Sequence, residues 1–372
     1  DPKNGEAWRN YYLATEYANR DGEPSASGAK LTQILNDMQA AIMGNALPDL
    51  YKYLAAEKQE SRLQKAFFTE AGPTSLAKSI PGLYEFLILK YRHDDGNIAV
   101  LEGAFQLHPD DPQTYGDLIV HYETVGNEAK AKEFCERLYQ SQYLAAGLLE
   151  YNYNVLMSTE KNALLFTNGD NDTFPIWLLQ RAKGIRADVT VLNVHLIQQQ
   201  DYLKRLLKAK NVAVDFGKLP DQNVYRCIPE FGKAISAANP AVPVYFALTL
   251  DGAHTKGLAN NLYVTGLASR YSSKRIDNLA MLRENVEINF RLDYLKFDWY
   301  SENHVSTPSI VETLNTNYVA PFMMLAEHYE KAGEKKKADY WKNSALDIAR
   351  TAGDQALIAN INKFIENSKN KK

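Results

Sequence analysis

The feature that most restricts the fold of this chain is a change of texture near residue 160. Ala163 to Thr167 reads ALLFT, an apolar run too short for a buried helix, and it ends abruptly in the acidic loop Asn168-Gly169-Asp170-Asn171-Asp172. Phe174 to Lys183 has helical spacing with Pro175 suited to a first turn, and Gly184 stops it. Val189 to Val194 (VTVLNV) predicts a second strand, and Asp201 to Lys208 a helix. Ile228 to Ala238 predicts another helix, Val242 to Leu248 (VPVYFAL) a third strand, and Asn261 to Ser269 a fourth. Strands alternating with helices at this interval predict an α/β module with a mainly parallel sheet.

The flanks have a different period. Leu31, Ile34, Leu35, Met38 and Ile42 recur at helical spacing, as do Leu83, Phe86, Leu87 and Tyr91. Helix breaks fall at Asp21-Gly22, Leu47-Pro48 and Gly72-Pro73. Asp111 to Tyr139 places Tyr115, Leu118, Ile119 and Tyr122 on one helix and Ala131, Cys135 and Leu138 on the next, around a Gly126-Asn127 turn. A large residue, a tight turn and a small contact residue are what two nested helices need, and the unit resembles a tetratricopeptide (TPR) repeat. Phe322, Leu325, Ala326, Tyr329, Gly333, Ala338 and Ala345 repeat the pattern, and Trp8 with Tyr12 gives a weaker copy. The expected organisation is TPR-like helices over 1–150, the α/β module over 151–290, and C-terminal TPR-like helices over 291–372.

Composition narrows the function classes. Of 372 residues, 45% are hydrophobic and 23% charged, with a net charge of −3, as in globular proteins. That balance supplies no electrostatic footprint for nucleic acid. No apolar stretch reaches the roughly 20 residues of a membrane span. The only cysteines are Cys135 and Cys227, too few for a thiol zinc site, and their pairing is left open. No phosphate-cradling loop, nucleophile elbow or HExxH is present.

In an open parallel sheet, ligands bind beyond the C-terminal ends of the strands. The polar residues collect there: Asn168, Asp170, Asn171 and Asp172 after the first strand, Asn193 and His195 at the second, Thr249, Asp251 and His254 after the third. Asn168, Asp170, Asn171, Asp172, Asn193 and His195 are the candidate ligand-binding residues. Asp170 and Asp172 suit a divalent cation or an acid/base pair, and that cation is the one cofactor the loop suggests. Asp172 or Thr173 equally suits the N-cap of the following helix, and His195 a structural hydrogen bond. No catalytic residue is assigned.

Leu164 to Pro175 (LLFTNGDNDTFP), Trp177-Leu178-Leu179-Gln180, Gly184-Ile185-Arg186, Asp188-Val189, Asn193, Pro243 to Ala247 and Gly266 to Arg270 carry a resemblance. Over roughly residues 160–350 the chain is similar to the soluble C-terminal part of the DUF2723 family of Bacteroidota membrane proteins. That family is related to eukaryotic protein O-mannosyltransferase-like enzymes. The resemblance implies an extracytoplasmic place, periplasmic or outer-membrane-associated, and a module that recognises a glycan, a lipid-linked donor or an acceptor polypeptide. Glycosyl transfer in that family is expected in a multi-helix membrane portion, and no catalytic residue of it has a counterpart here. The expectation is therefore an accessory or scaffold protein whose repeats bind a protein partner, such as an envelope membrane complex. The alternatives are a metal-assisted hydrolase or transferase acting on a sugar or phosphorylated substrate at Asp170/Asp172, and a structural remnant with no ligand.

Overall fold

A computed structural model of the chain describes residues 4–18, 24–45, 67–69, 71–93, 96–297, 300 and 309–369. The breaks expected at Asp21-Gly22 and Leu47-Pro48 lie outside the described residues. The chain forms two compact units, Asp1–Glu123 and Thr124–Lys372.

The first unit contains helices α1 (Gly5–Ala18), α2 (Pro24–Asn45), α3 (Ser75–Ser79), α4 (Leu83–His93) and α5 (Ile98–Leu107). A short antiparallel pair, β1 (Phe68–Thr69) and β2 (Gly72–Pro73), precedes α3. Its core holds Tyr12, Ile34, Leu35, Met38, Ile42, Leu83, Phe86 and Leu87, the positions that three-to-four spacing places on one helix face. Helix α6 (Tyr115–Val125) buries Tyr115, Leu118, Ile119 and Tyr122. Gly126 then takes φ +79°, and the Asn127 side chain accepts the Lys130 N–H at 3.2 Å to cap α7 (Glu128–Gln140).

The second unit continues through α8 (Ala146–Met157), β3 (Leu164–Thr167), α9 (Phe174–Lys183), β4 (Thr190–Asn193), α10 (Gln200–Ala209), α11 (Ile228–Ala238) and β5 (Val244–Ala247). Strands β6 (Leu262–Val264) and β7 (Ala268–Tyr271) follow, then α12 (Asn278–Glu284), α13 (Ile310–Asn315), α14 (Val319–Lys331), α15 (Lys335–Thr351) and α16 (Gln355–Lys369). The sheet order is β4-β3-β5-β7-β6. Strand β3 pairs parallel with both β4 and β5, with Leu165 opposite Val191 and Tyr245. Strand β7 pairs antiparallel with β5 and with β6. The sheet is therefore mixed, a parallel trio extended by a hairpin.

The hairpin replaces the single strand expected over Asn261 to Ser269, because Gly266 breaks that run with φ +153°. A Cβ there would meet Ser158 Oγ at 2.3 Å and Phe290 at 2.7 Å. The turn is held by the Leu267 N–H donating to Ser158 Oγ and by the Thr265 hydroxyl donating to the Ser158 carbonyl, both at 2.8 Å. Gly266→Ala is expected to cost about 2 kcal/mol or more, measured by denaturant unfolding, since strain and overpacking act together.

Alternation assigns the two sheet faces. Leu164, Phe166, Leu192, Val244 and Phe246 share a core with Tyr202, Leu203 and Leu207 of α10 and Ile228, Phe231 and Ile235 of α11. The opposite face is also buried, at Leu165, Thr167, Val191, Asn193 and Tyr245. Strands buried on both faces read as continuous apolar runs, which is why ALLFT and VPVYFAL lack alternation.

Arg186 ties α8 to this sheet. Its guanidinium donates to the carbonyls of Leu156 (2.8 Å), Thr159 (3.0 Å) and Glu160 (2.9 Å) and clasps Asp188 at 3.0 and 3.1 Å. Asp188 in turn accepts the Asn162 N–H at 2.8 Å. The guanidinium holds the Asp188 carboxyl down at about 2. A depressed carboxyl stabilises the fold above its unfolded value and loses that contribution as pH falls towards its folded one. Acid unfolding should therefore show a component between about pH 4 and pH 2 that Asp188→Asn removes.

At the C-terminal end, α14 and α15 pack along one another, burying Phe322, Leu325, Ala326, Tyr329, Ala338 and Ala345, with the rings of Phe322 and Trp341 4.8 Å apart. Gly333 makes the turn between them at φ +76°. A buried polar knot joins α8 to these helices: Asn154 donates to the Tyr318 hydroxyl at 2.7 Å and to the Arg291 carbonyl at 2.8 Å, and accepts the Arg291 N–H at 2.8 Å. Cys135 and Cys227 are both buried. Both are expected to resist alkylation in the folded chain and to react fully once it unfolds, read by mass spectrometry.

Candidate functional site at the strand ends

The parallel trio brings the C-terminal ends of β4, β3 and β5 side by side. The chain leaves β3 for β4 on one side and then crosses to β5 on the other, so β3 and β5 flank a topological switch point. In such sheets the crevice at the switch point is the ligand position.

The acidic loop spans that crevice in a fixed conformation. Asp172 is 2% exposed, and its carboxylate accepts the N–H groups of Asn168 (2.8 Å) and Gly169 (2.7 Å). The hydroxyl of Thr249, just beyond β5, also donates to it. Burial pushes the Asp172 carboxyl up, and these three donors pull against that. Asp172 thus folds back on its own loop instead of capping α9. Thr173 does not cap α9 either. Its hydroxyl turns inward, sharing a hydrogen bond with Thr167 at 2.8 Å and accepting from Asn193 at 2.9 Å.

Asn193 is equally engaged, its side-chain oxygen accepting the N–H groups of His195 (2.9 Å) and Leu196 (3.1 Å). Asn171 is exposed, with its carbonyl held by buried Asn152 of α8 at 2.8 Å. Asn168 is half-buried. Asp170 and His195 are exposed. Surrounding protein raises the Asp170 carboxyl, and His195 opposes the shift.

Beyond His195 the rim continues through Asp251 and His254, which strand-end placement also puts there, and through Tyr225, which the sequence did not single out. The Tyr225 ring lies 5.2 Å from the His195 ring and 5.0 Å from that of His254, standing between two imidazoles. His254 is 7% exposed, and its Nδ1 has no hydrogen-bond partner. Burial lowers the His254 imidazole, with Asp251 opposing and His195 adding to the shift. Asp251 caps the turn before His254, accepting the Ala253 N–H at 2.8 Å. Tyr225 and Asn152 carry no motif, and only the three-dimensional fold brings Asn152 to the loop and Tyr225 to His195.

Among the described residues, no group of three or more His, Cys, Asp or Glu side chains comes together as a metal site. The Asp172 oxygens are taken up by three hydrogen-bond donors of the protein itself. Asp170 is the loop carboxylate that faces outward.

The class defined here is an α/β module with added helices and a polar rim at its strand ends. Residues 149–220 match the family model of TMEM260-associated domain 2. The match runs from α8 through the acidic loop, β4 and α10, and stops before Tyr225, Thr249 and His254. Comparison with curated proteins and with solved structures finds no match. Among the described residues, no helix is long and apolar enough to cross a membrane.

Proposed function

We propose that this chain is an extracytoplasmic accessory protein, periplasmic or outer-membrane-associated, that binds instead of transforming its ligand. Its TPR-like helix pairs hold a protein partner such as an envelope complex, and its α/β module presents the strand-end rim to a ligand. The observation that carries this reading is the engagement of Asp172. Two backbone N–H groups and the Thr249 hydroxyl occupy its carboxylate, so the two loop carboxylates do not face one substrate as an acid/base pair. The DUF2723 resemblance supports the extracytoplasmic place and a glycan, lipid-linked molecule or acceptor polypeptide as ligand. The packed α14–α15 pair supports the repeat reading, since stacked helix pairs offer extended grooves to other chains.

Copurification of the tagged full chain from its native envelope tests the proposal. A stoichiometric partner retained by the chain and by Asp170→Ala supports it. A chain recovered free, together with metal-dependent turnover of a phosphorylated sugar lost in Asp170→Asn, overturns it in favour of the hydrolase or transferase reading.

A further inference from the structure

The turn that follows β5 is a surface segment anchored by one inward side chain. Asp251, Gly252, Ala253, Lys256 and Gly257 are exposed, whereas His254 is buried. Backbone bonds here are local: the His254 N–H donates to the Asp251 carbonyl at 2.9 Å and the Leu258 N–H to the Thr255 carbonyl at 3.0 Å. Gly252 and Gly257 bound the turn with open space beside both, and Gly257 takes φ +79°. The His254 ring lies 5.0 Å from Tyr225, which stands on the Val224–Cys227 turn and lies 5.2 Å from His195 on its other side. His195 follows β4 and His254 follows β5, so the row links loops from the two strands that flank β3.

This anchor is sensitive to a proton. A protonated imidazole is a donor at both nitrogens, and the enclosed Nδ1 of His254 has no hydrogen-bond partner among the described residues. A second imidazolium at His195 would add a like charge across the Tyr225 ring. The titratable groups around His254 are Asp251 and Lys256 on its own turn, His195 and Tyr225 on the facing turns, and Glu230 and Lys233 on α11, which packs against the turn. Arg226 beside Tyr225 is paired with Asp221 at 3.7 Å. Asp251 favours the charged imidazole, but burial outweighs it and His195 adds to burial. An imidazole held neutral in the fold stabilises it above its unfolded value, near pH 6.5, and loses that contribution progressively as pH falls below it.

We propose that the turn Asp251–Lys256 is a pH-sensitive latch on the strand-end rim, closed while His254 is neutral and opened when His254 takes up a proton. Thr249, two residues before the turn, donates to Asp172, so opening loosens the β5 side of the crevice. The latch does not depend on what the rim binds.

The test is amide hydrogen exchange of the full chain at pH 7.5 and pH 5.5, read by mass spectrometry and corrected for the intrinsic rate at each pH. A closed turn that keeps His254 neutral should lose about tenfold in protection one pH unit below the ordinary imidazole value. That loss is expected over residues 251–258 while β3 and β5 keep theirs, and its midpoint should coincide with the titration of the His254 ring C–H signal by NMR. In His254→Gln the protection should no longer change with pH, and in His195→Gln, at an exposed position, a step should remain. Equal protection of the turn at both pH values overturns the latch. So does an equal loss throughout the second unit, or a step that persists in His254→Gln. If His254→Gln leaves the turn open at both pH values, the parent chain decides, and a midpoint away from the His254 titration overturns the latch.

Discussion

Asp172→Ala is expected to lower the stability of the second unit by about 3 kcal/mol, because it leaves three part-buried donors without an acceptor. In a unit of this size that corresponds to a fall in melting temperature of roughly 6–12 °C. Asp170→Ala, two residues away and exposed, is expected to stay within about 0.5 kcal/mol of the parent chain. The contrast separates two carboxylates that look equivalent in sequence. Paired melting curves read it, and equal losses at the two positions would mean that the loop is not held as described.

The second large effect is at Arg186. Arg186→Ala removes three bonds to carbonyls at the end of α8 and the pair with Asp188, and it strands the carboxylate that accepts the Asn162 N–H. The expected loss is about 3–5 kcal/mol, the range for breaking a partly buried charged network by removing one partner. Arg186→Lys should recover little of it. A lysine ammonium is a single point charge and does not reproduce the planar fork that reaches Leu156, Thr159, Glu160 and Asp188 together. Chemical denaturation of the two variants measures both values. Near-complete rescue by Lys would show that charge alone, not the fork, joins α8 to the sheet.

The α/β module was legible where local signals agree. Phe174 to Lys183 and Ile228 to Ala238 are helices over the ranges expected. Pro near the start of each fixes φ for the first turn, and Gly184, at φ +68°, ends the first of them. Strands β3, β4 and β5 follow from apolar runs bounded by turn residues. The hairpin β6–β7 was less legible because one glycine decides it. Gly266 reads as part of a strand until the packing of Ser158 and Phe290 against it is known.

The site divides in the same way. Strand-end placement brought out Asp170, Asp172, Asn193 and His195 from the order of elements alone. What each side chain does depends on neighbours remote in sequence. Asp172 meets Thr249 across the crevice, Asn171 is held by Asn152, and the His195 ring lies tilted against Tyr225. Spacing along a chain carries no record of such contacts. An acidic pair and a structural clamp therefore have the same sequence signature.

Asp172 is a clamp across the switch point, joining the loop after β3 to Thr249 beyond β5. A double-mutant cycle on Asp172→Asn and Thr249→Val tests it most directly, with stability measured by denaturant unfolding. The two side chains should couple by about 1.5 kcal/mol or more, the expected size for a buried charge-assisted hydrogen bond. Additivity within about 0.3 kcal/mol would mean that Asp172 does not depend on Thr249, and would contradict the account.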